Sequence, residues 1–87
     1  MKLNDQVQLS THPFDKTIIH AGTILAIVNP MENPFDAMAR QGVAWSQYLF
    51  RFTTGHRSEE TYLVAVPKGH GKPWVYWVNG DKLEPAP

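Results

Sequence analysis

Pro73-Trp74-Val75-Tyr76-Trp77-Val78-Asn79-Gly80-Asp81-Lys82-Leu83-Glu84-Pro85 decides the fold class of this chain. Every residue from Trp74 to Val78 is aromatic or β-branched, and such side chains suit a pleated, half-buried surface. Asn79-Gly80 supplies the residue types that a two-residue hairpin turn needs for its positive φ angles. Leu83-Glu84-Pro85 then follows as a short edge strand. Strand alternation places Trp74 and Tyr76 on one face, and Val75 and Trp77 on the other.

Upstream, the same β pattern recurs. Gln6-Val7-Gln8-Leu9 alternates polar and apolar residues, as a half-buried strand does. Ile18 to Val28 is the most apolar segment, and its β-branched density predicts a long strand. Gly22 inside it predicts a bulge or bend that lets one strand serve two sides of a small barrel. Val43 to Thr53 predicts a strand with Tyr48, Phe50 and Phe52 on one face and Trp45, Leu49 and Arg51 on the other. Thr61 to Val66 predicts another. Between Asn29-Pro30 and Gly42 the pattern turns helical. Asn33 is the expected N-cap, Pro34 the first helical residue, Asp36 a first-turn carboxylate and Gly42 the C-terminal cap. Phe35 and Met38 are expected to pack this short helix, spanning about 34–41, onto the sheet.

The expected architecture is a single domain over residues 1–87: mainly β, a small five-stranded antiparallel barrel with one helical insertion. Closure is the economical way for so many short strands to hide their edges. At 87 residues a chain buries about 60–65% of its unfolded surface, so its stability margin is narrow. No cysteine is present, which excludes disulfides and thiolate metal sites. Good aromatic packing and self-association remain as ways to supplement the core.

Eight Lys and Arg balance eight Asp and Glu. Nucleic-acid binders draw most of their affinity from phosphate neutralisation, so neutrality weighs against that class. Low net charge also favours self-association. Met1-Lys2-Leu3-Asn4-Asp5 lacks the apolar core of a secretory signal, and the apolar run Thr23 to Val28 is too short to span a bilayer. A cytoplasmic, soluble protein is expected.

The segments Asn4-Asp5-Gln6-Val7-Gln8-Leu9, Ala21-Gly22-Thr23-Ile24-Leu25-Ala26 and Trp77-Val78 to Leu83-Glu84-Pro85 resemble the SH3-like barrel superfamily. The resemblance covers about half of the chain. It implies an opening Asn-Asp-x-Val-x-Leu strand, a Gly-Thr-apolar second strand and a closing Leu-containing edge strand. It also implies a 3₁₀ turn over Asn79 to Lys82 in place of the hairpin. Within that superfamily the architecture is similar to the small plasmid- and integron-borne dihydrofolate reductases. Their Val-Gln-Ile-Tyr signature is replaced here by Val75-Tyr76-Trp77-Val78, and no lysine matches at Leu9-Ser10. No catalytic residue therefore carries over.

His12, His20, His56 and His70 lack the i, i+2 or i, i+4 spacing that pre-assembles metal ligands on one element. A site of His12, His20 and His56 beside Asp15 or Glu59 is geometrically allowed, but solvated loop histidines outweigh it. Asp15, His56 and Glu60 could serve acid–base chemistry only if burial separated their pKa values. Gly55-His56-Arg57-Ser58 and Lys68-Gly69-His70-Gly71-Lys72 are both anion-friendly, since glycines let N–H groups converge and cations flank them. Neither matches a phosphate-loop motif, and flexible connection is the stronger reading of each. No catalytic residue, metal or cofactor is assigned. The expectation is a non-enzymatic interaction module that binds a protein partner or itself through an aromatic strand surface. Its binding residues would be Trp74, Tyr76, Trp77, Arg57, Lys68 and Lys72. A nucleic-acid-binding domain, with Arg51 added to those cations and Trp74 or Tyr76 stacking on bases, is the second reading. An oligomeric reductase is the third.

Overall fold

The computed structural model describes residues 2–10, 19–52 and 58–86. Among them six strands form one sheet: β1 (Gln6–Ser10), β2 (Ile19–Val28), β3 (Leu49–Phe52), β4 (Thr61–Val66), β5 (Trp74–Asn79) and β6 (Leu83–Pro85). One helix, α1 (Pro34–Arg40), lies between β2 and β3. The strand order is β3-β5-β4-β2-β1-β6. The mainly-β expectation and the helical insertion hold. The five-stranded, wholly antiparallel barrel does not: the sheet is open, has a sixth strand, and pairs β3 with β5 in parallel. Both β3 and β5 run opposite to β4, and β2 already occupies the other side of β4, so β3 joins at the free edge of β5.

β2 does serve two neighbours. Residues 19–23 pair with β1 and residues 23–28 with β4. The register slip falls between Ile24 and Ala26, so Leu25 is the bulged residue, not Gly22. Gly22 answers a different demand, for a Cβ there would lie 2.6 Å from Val64 Cγ1 and 2.8 Å from the Ala65 carbonyl oxygen. Only hydrogen fits against that neighbouring strand.

The bulge reverses the facing of β2, and the sheet carries a core on each side. The inner core joins Val7, Leu9, Ile24, Val64, Val66, Tyr76, Val78 and Leu83. It unites β5 with β6, which stand four places apart in the sheet, so the sheet must curl round this side. The outer core joins Ala26, Val28, Leu63 and Val75 with Ala37 and Met38 of α1. Tyr48, Phe50 and Trp77 pack against its margin.

The helix is specified by its ends. Asn33 Oδ1 accepts the Phe35 N–H at 2.8 Å, Pro34 takes the first turn and Asp36 stands near the positive end of the helix. Gly42 has φ +75°; its N–H donates to the Ala39 carbonyl while the Val43 N–H donates to that of Met38. Those two bonds form a Schellman stop. The buried stripe is Pro34, Ala37 and Met38. Phe35 was expected to share it, but it sits one position off the stripe and stays partly in water.

The strand expected from Val43 is corrected, and of the two alternatives at Asn79 to Lys82 the 3₁₀ turn is the one observed. Trp45–Gln47 is a 3₁₀ turn, so the strand predicted from Val43 begins only at Leu49. Asn79-Gly80 is not a hairpin: Asn79 has φ −74°, and Gly80–Lys82 is a 3₁₀ turn that carries the chain from β5 to β6 across the sheet. Gly80 sits close under Tyr62, where a Cβ would come to 3.2 Å from Cε2, a tight approach.

Candidate functional site

The aromatic strand β5 divides its side chains between two interiors. Tyr76 is only 4% exposed, lies in the inner core and stacks on His20 with ring centroids 5.7 Å apart. Trp77 packs at the outer core, and its indole N–H donates to Thr61 Oγ1 at 2.6 Å. Tyr76 presents no open ring face, and Trp77 is half-buried with its polar edge engaged. α1 and the segment that follows it cover the outer side, which the alternation of β5 alone did not require.

Trp74 differs. It sits half-buried at the rim of the inner core, with Arg51 Cζ and Lys68 Nζ each 4.8 Å from its ring centroid. Register explains the first approach: Arg51 pairs with Tyr76 across the parallel β3–β5 ladder, so its side chain leaves on the side of Tyr76 and Trp74. Lys68 reaches the ring from the loop between β4 and β5, and Lys72 is exposed on the same loop. Of the expected binding residues, the structure brings Trp74 and Lys68 together, buries Tyr76 and leaves Trp77 half-buried against the outer core. Arg57 lies outside the described residues.

The rings that meet water are elsewhere. Trp45 is 59% exposed and Phe35 40% exposed; their centroids are 6.0 Å apart in an edge-on contact. Phe50 backs Phe35 at 5.0 Å, also edge-on. This geometry is the favoured one for aromatic pairs. Three elements build the patch: α1 supplies Phe35, the 3₁₀ turn Trp45, and β3 Phe50. Sequence reasoning missed it because it placed Trp45 on a strand and Phe35 in the core. The available signal was the helix spacing, in which Pro34, Ala37 and Met38 already form an i, i+3, i+4 stripe that leaves Phe35 beside it.

Some titratable groups are held in structural pairs, among them Glu32 with Arg40 and Tyr62 with Glu60. Arg40 Nη2 and Nε bind the two Glu32 carboxylate oxygens at 2.9 and 3.2 Å, and Nη2 also donates to the Ile27 carbonyl at 2.8 Å. The Arg40 hydrogen bonds, followed by the Asn29 N–H, hold the Glu32 carboxyl below the usual carboxylate range. Burial, then the hydrogen bond to Glu60, pushes the Tyr62 phenol up. His20 is occupied by Tyr76 and His70 is exposed. Among the described residues no three His, Asp or Glu side chains converge as a metal would need. Of the other members of the expected metal and acid–base groupings, Glu59 accepts a hydrogen bond from Asn79 Nδ2 at 3.2 Å, and His12, Asp15 and His56 lie outside the described residues. No helix among the described residues is long and apolar enough to cross a membrane.

No family model, curated protein or solved structure matches the chain.

Proposed function

We propose that this chain is a non-enzymatic interaction module with an SH3-like core, and that it binds a second copy of itself through the Phe35–Trp45 patch. The carrying observation is the pair of neighbouring, water-exposed rings backed by Phe50. Aromatic side chains are enriched in interface centres and dominate their energetics. An indole this exposed contributes little to a monomer's core, so its burial against another surface is the larger gain. A second copy suits a neutral surface, since no excess charge steers the chain toward an oppositely charged partner or repels its twin.

The SH3-like part is supported by strand order. Omitting β3, the series β6-β1-β2-β4-β5 pairs the opening strand with both the Gly-Thr strand and the Leu-containing closing strand, and a 3₁₀ turn of the kind that the resemblance implied joins β5 to β6. On this reading α1 and β3 are an insertion between the second and third strands of the core, and the insertion brings the binding surface. The site therefore moves from the rings of β5 to Phe35 and Trp45.

Size-exclusion chromatography with light scattering tests the proposal at micromolar and higher concentrations. The intact chain should show a concentration-dependent dimer. Trp45→Ala should weaken it by about thirtyfold, the scale of an interface anchor, while leaving the circular dichroism spectrum unchanged. A chain that stays monomeric, or a dimer indifferent to Trp45→Ala, would overturn the assignment.

A further inference from the structure

We infer that the β4–β5 loop, Pro67-Lys68-Gly69-His70-Gly71-Lys72-Pro73, together with Arg51 forms a binding site for the phosphate group of a small phosphorylated molecule. The site lies apart from the Phe35–Trp45 patch and does not depend on it. The first observation is the loop's backbone. Gly69 has φ +87° and Gly71 φ +71°, whereas the intervening and flanking non-glycine residues keep negative φ. An anion nest needs such alternation of φ sign along consecutive residues, which lets successive N–H groups turn toward one concavity. None of the amides from Gly69 to Lys72 donates a hydrogen bond to another group among the described residues.

The second observation is the placement of cations. Lys68 folds back over its own loop, with Cε 3.7 Å and Nζ 4.0 Å from the position that a Gly71 Cβ would take. The same ammonium stands over Trp74, as does the Arg51 guanidinium. Both charges sit 4.8 Å from one ring centroid, so they are no farther apart than twice that distance. The indole holds them without neutralising them. Neither has a carboxylate at ion-pair distance among the described residues, where the salt bridge is Arg40–Glu32. Moreover, no Asp or Glu occurs from Thr61 to Gly80 or from Ala37 to Ser58. The neutral total thus conceals a locally positive region around β3, β5 and this loop.

Convergent N–H donors with one ammonium and one guanidinium match the several strong acceptor oxygens of a phosphate monoester. A nucleic-acid strand fits less well. Its affinity would need several phosphate contacts in series, and base stacking on Trp74 would have to displace a cation already seated there. One anionic group in one nest is the better match.

The test is a titration of the ¹⁵N-labelled chain by NMR, at constant ionic strength made up with chloride. The probes are inorganic phosphate, O-phosphoserine and a short single-stranded oligonucleotide. The Gly69, Gly71 and Lys72 amides and the Trp74 indole N–H should shift together along one saturating curve with the first two. Tighter binding of O-phosphoserine identifies an organic ester as the ligand, and equal binding identifies phosphate itself. Lys68→Gln and Arg51→Gln, both exposed positions, should each weaken binding about tenfold. Gly71→Ala should weaken it as well, by straining the nest. No saturable shift with phosphate would overturn the inference. So would unchanged binding in Lys68→Gln, or an oligonucleotide that outcompetes the monoester at equal salt.

Discussion

Gly22 shows how much a single hydrogen atom can decide. Its α-carbon passes beneath Val64 and the Ala65 carbonyl, at a separation no Cβ could share with them. Gly22→Ala must displace backbone rather than a flexible side-chain tip, so it should cost about 2–3 kcal/mol, the upper range for overpacking a tight core. Urea unfolding should show a lower midpoint with an unchanged slope; a neutral variant would mean that β2 and β4 separate freely there. Thr61 offers a polar counterpart. It is buried, and its hydroxyl accepts the Trp77 indole N–H. Thr61→Val keeps the shape and removes the acceptor, so a loss of about 1 kcal/mol is expected in the same experiment. Sequence marked Gly22 as special but for the wrong reason. A glycine within a strand announces either a bulge or a close approach, and only the neighbour across the sheet distinguishes them. Gly80 repeats the lesson: Asn-Gly suggested positive φ, whereas Gly80 has none and instead lies closely against the Tyr62 ring.

Local rules succeed best for α1, because its signals lie within a few residues of one another. Asn33, Pro34, Asp36 and Gly42 all perform the roles that their types suggest. Seven residues are too few for independent stability, so the caps and the Pro34–Ala37–Met38 stripe must act together. Asn33→Ala should cost about 1 kcal/mol by releasing the Phe35 N–H. The Glu32–Arg40 pair supplies a second tie, because Arg40 also grasps the Ile27 carbonyl at the end of β2. Glu32 has a depressed folded-state pKa. Its contribution is therefore complete above the unfolded-state value and disappears as pH falls through the folded one. The melting-temperature gap between the native chain and Glu32→Gln should be widest near neutral pH. It should close as pH falls through the ordinary carboxylate range and below it, because the Arg40 hydrogen bonds hold the folded-state value down. A gap independent of pH would show that the ion pair adds nothing. Strand β3 was the least legible element. Its apolar alternation from Tyr48 to Phe52 was visible, but its parallel place beside β5 depends on which sheet edge β2 leaves free, a long-range fact absent from any local window.

At the scale of the whole molecule, one sheet acts as the shared wall of two small cores. The alternating apolar faces of β5 already hinted at burial on both sides. An even choice between covered and exposed could not be resolved from the sequence, because the cover comes from an insertion more than thirty residues upstream. The radius of gyration, 12.0 Å, is that of a tightly folded chain of this length. Leu63 and Val64 are adjacent on β4 and wholly buried on opposite faces. Neither core can therefore dissolve without loosening the strands that bound the other. This geometry predicts all-or-none unfolding even when damage is confined to one side. Met38 belongs to the outer core and is fully buried. Met38→Ala should cost about 2–4 kcal/mol, a large share of the roughly 5–10 kcal/mol expected for a domain of this size. Amide exchange supplies the discriminating measurement. If the wall is truly shared, the slowest amides of β1 should lose protection equal to the full stability loss, although β1 contributes only to the inner core. Protection retained in β1 while the outer side opens would instead reveal two separable units, with α1 and β3 an appendage on an independently stable curled sheet.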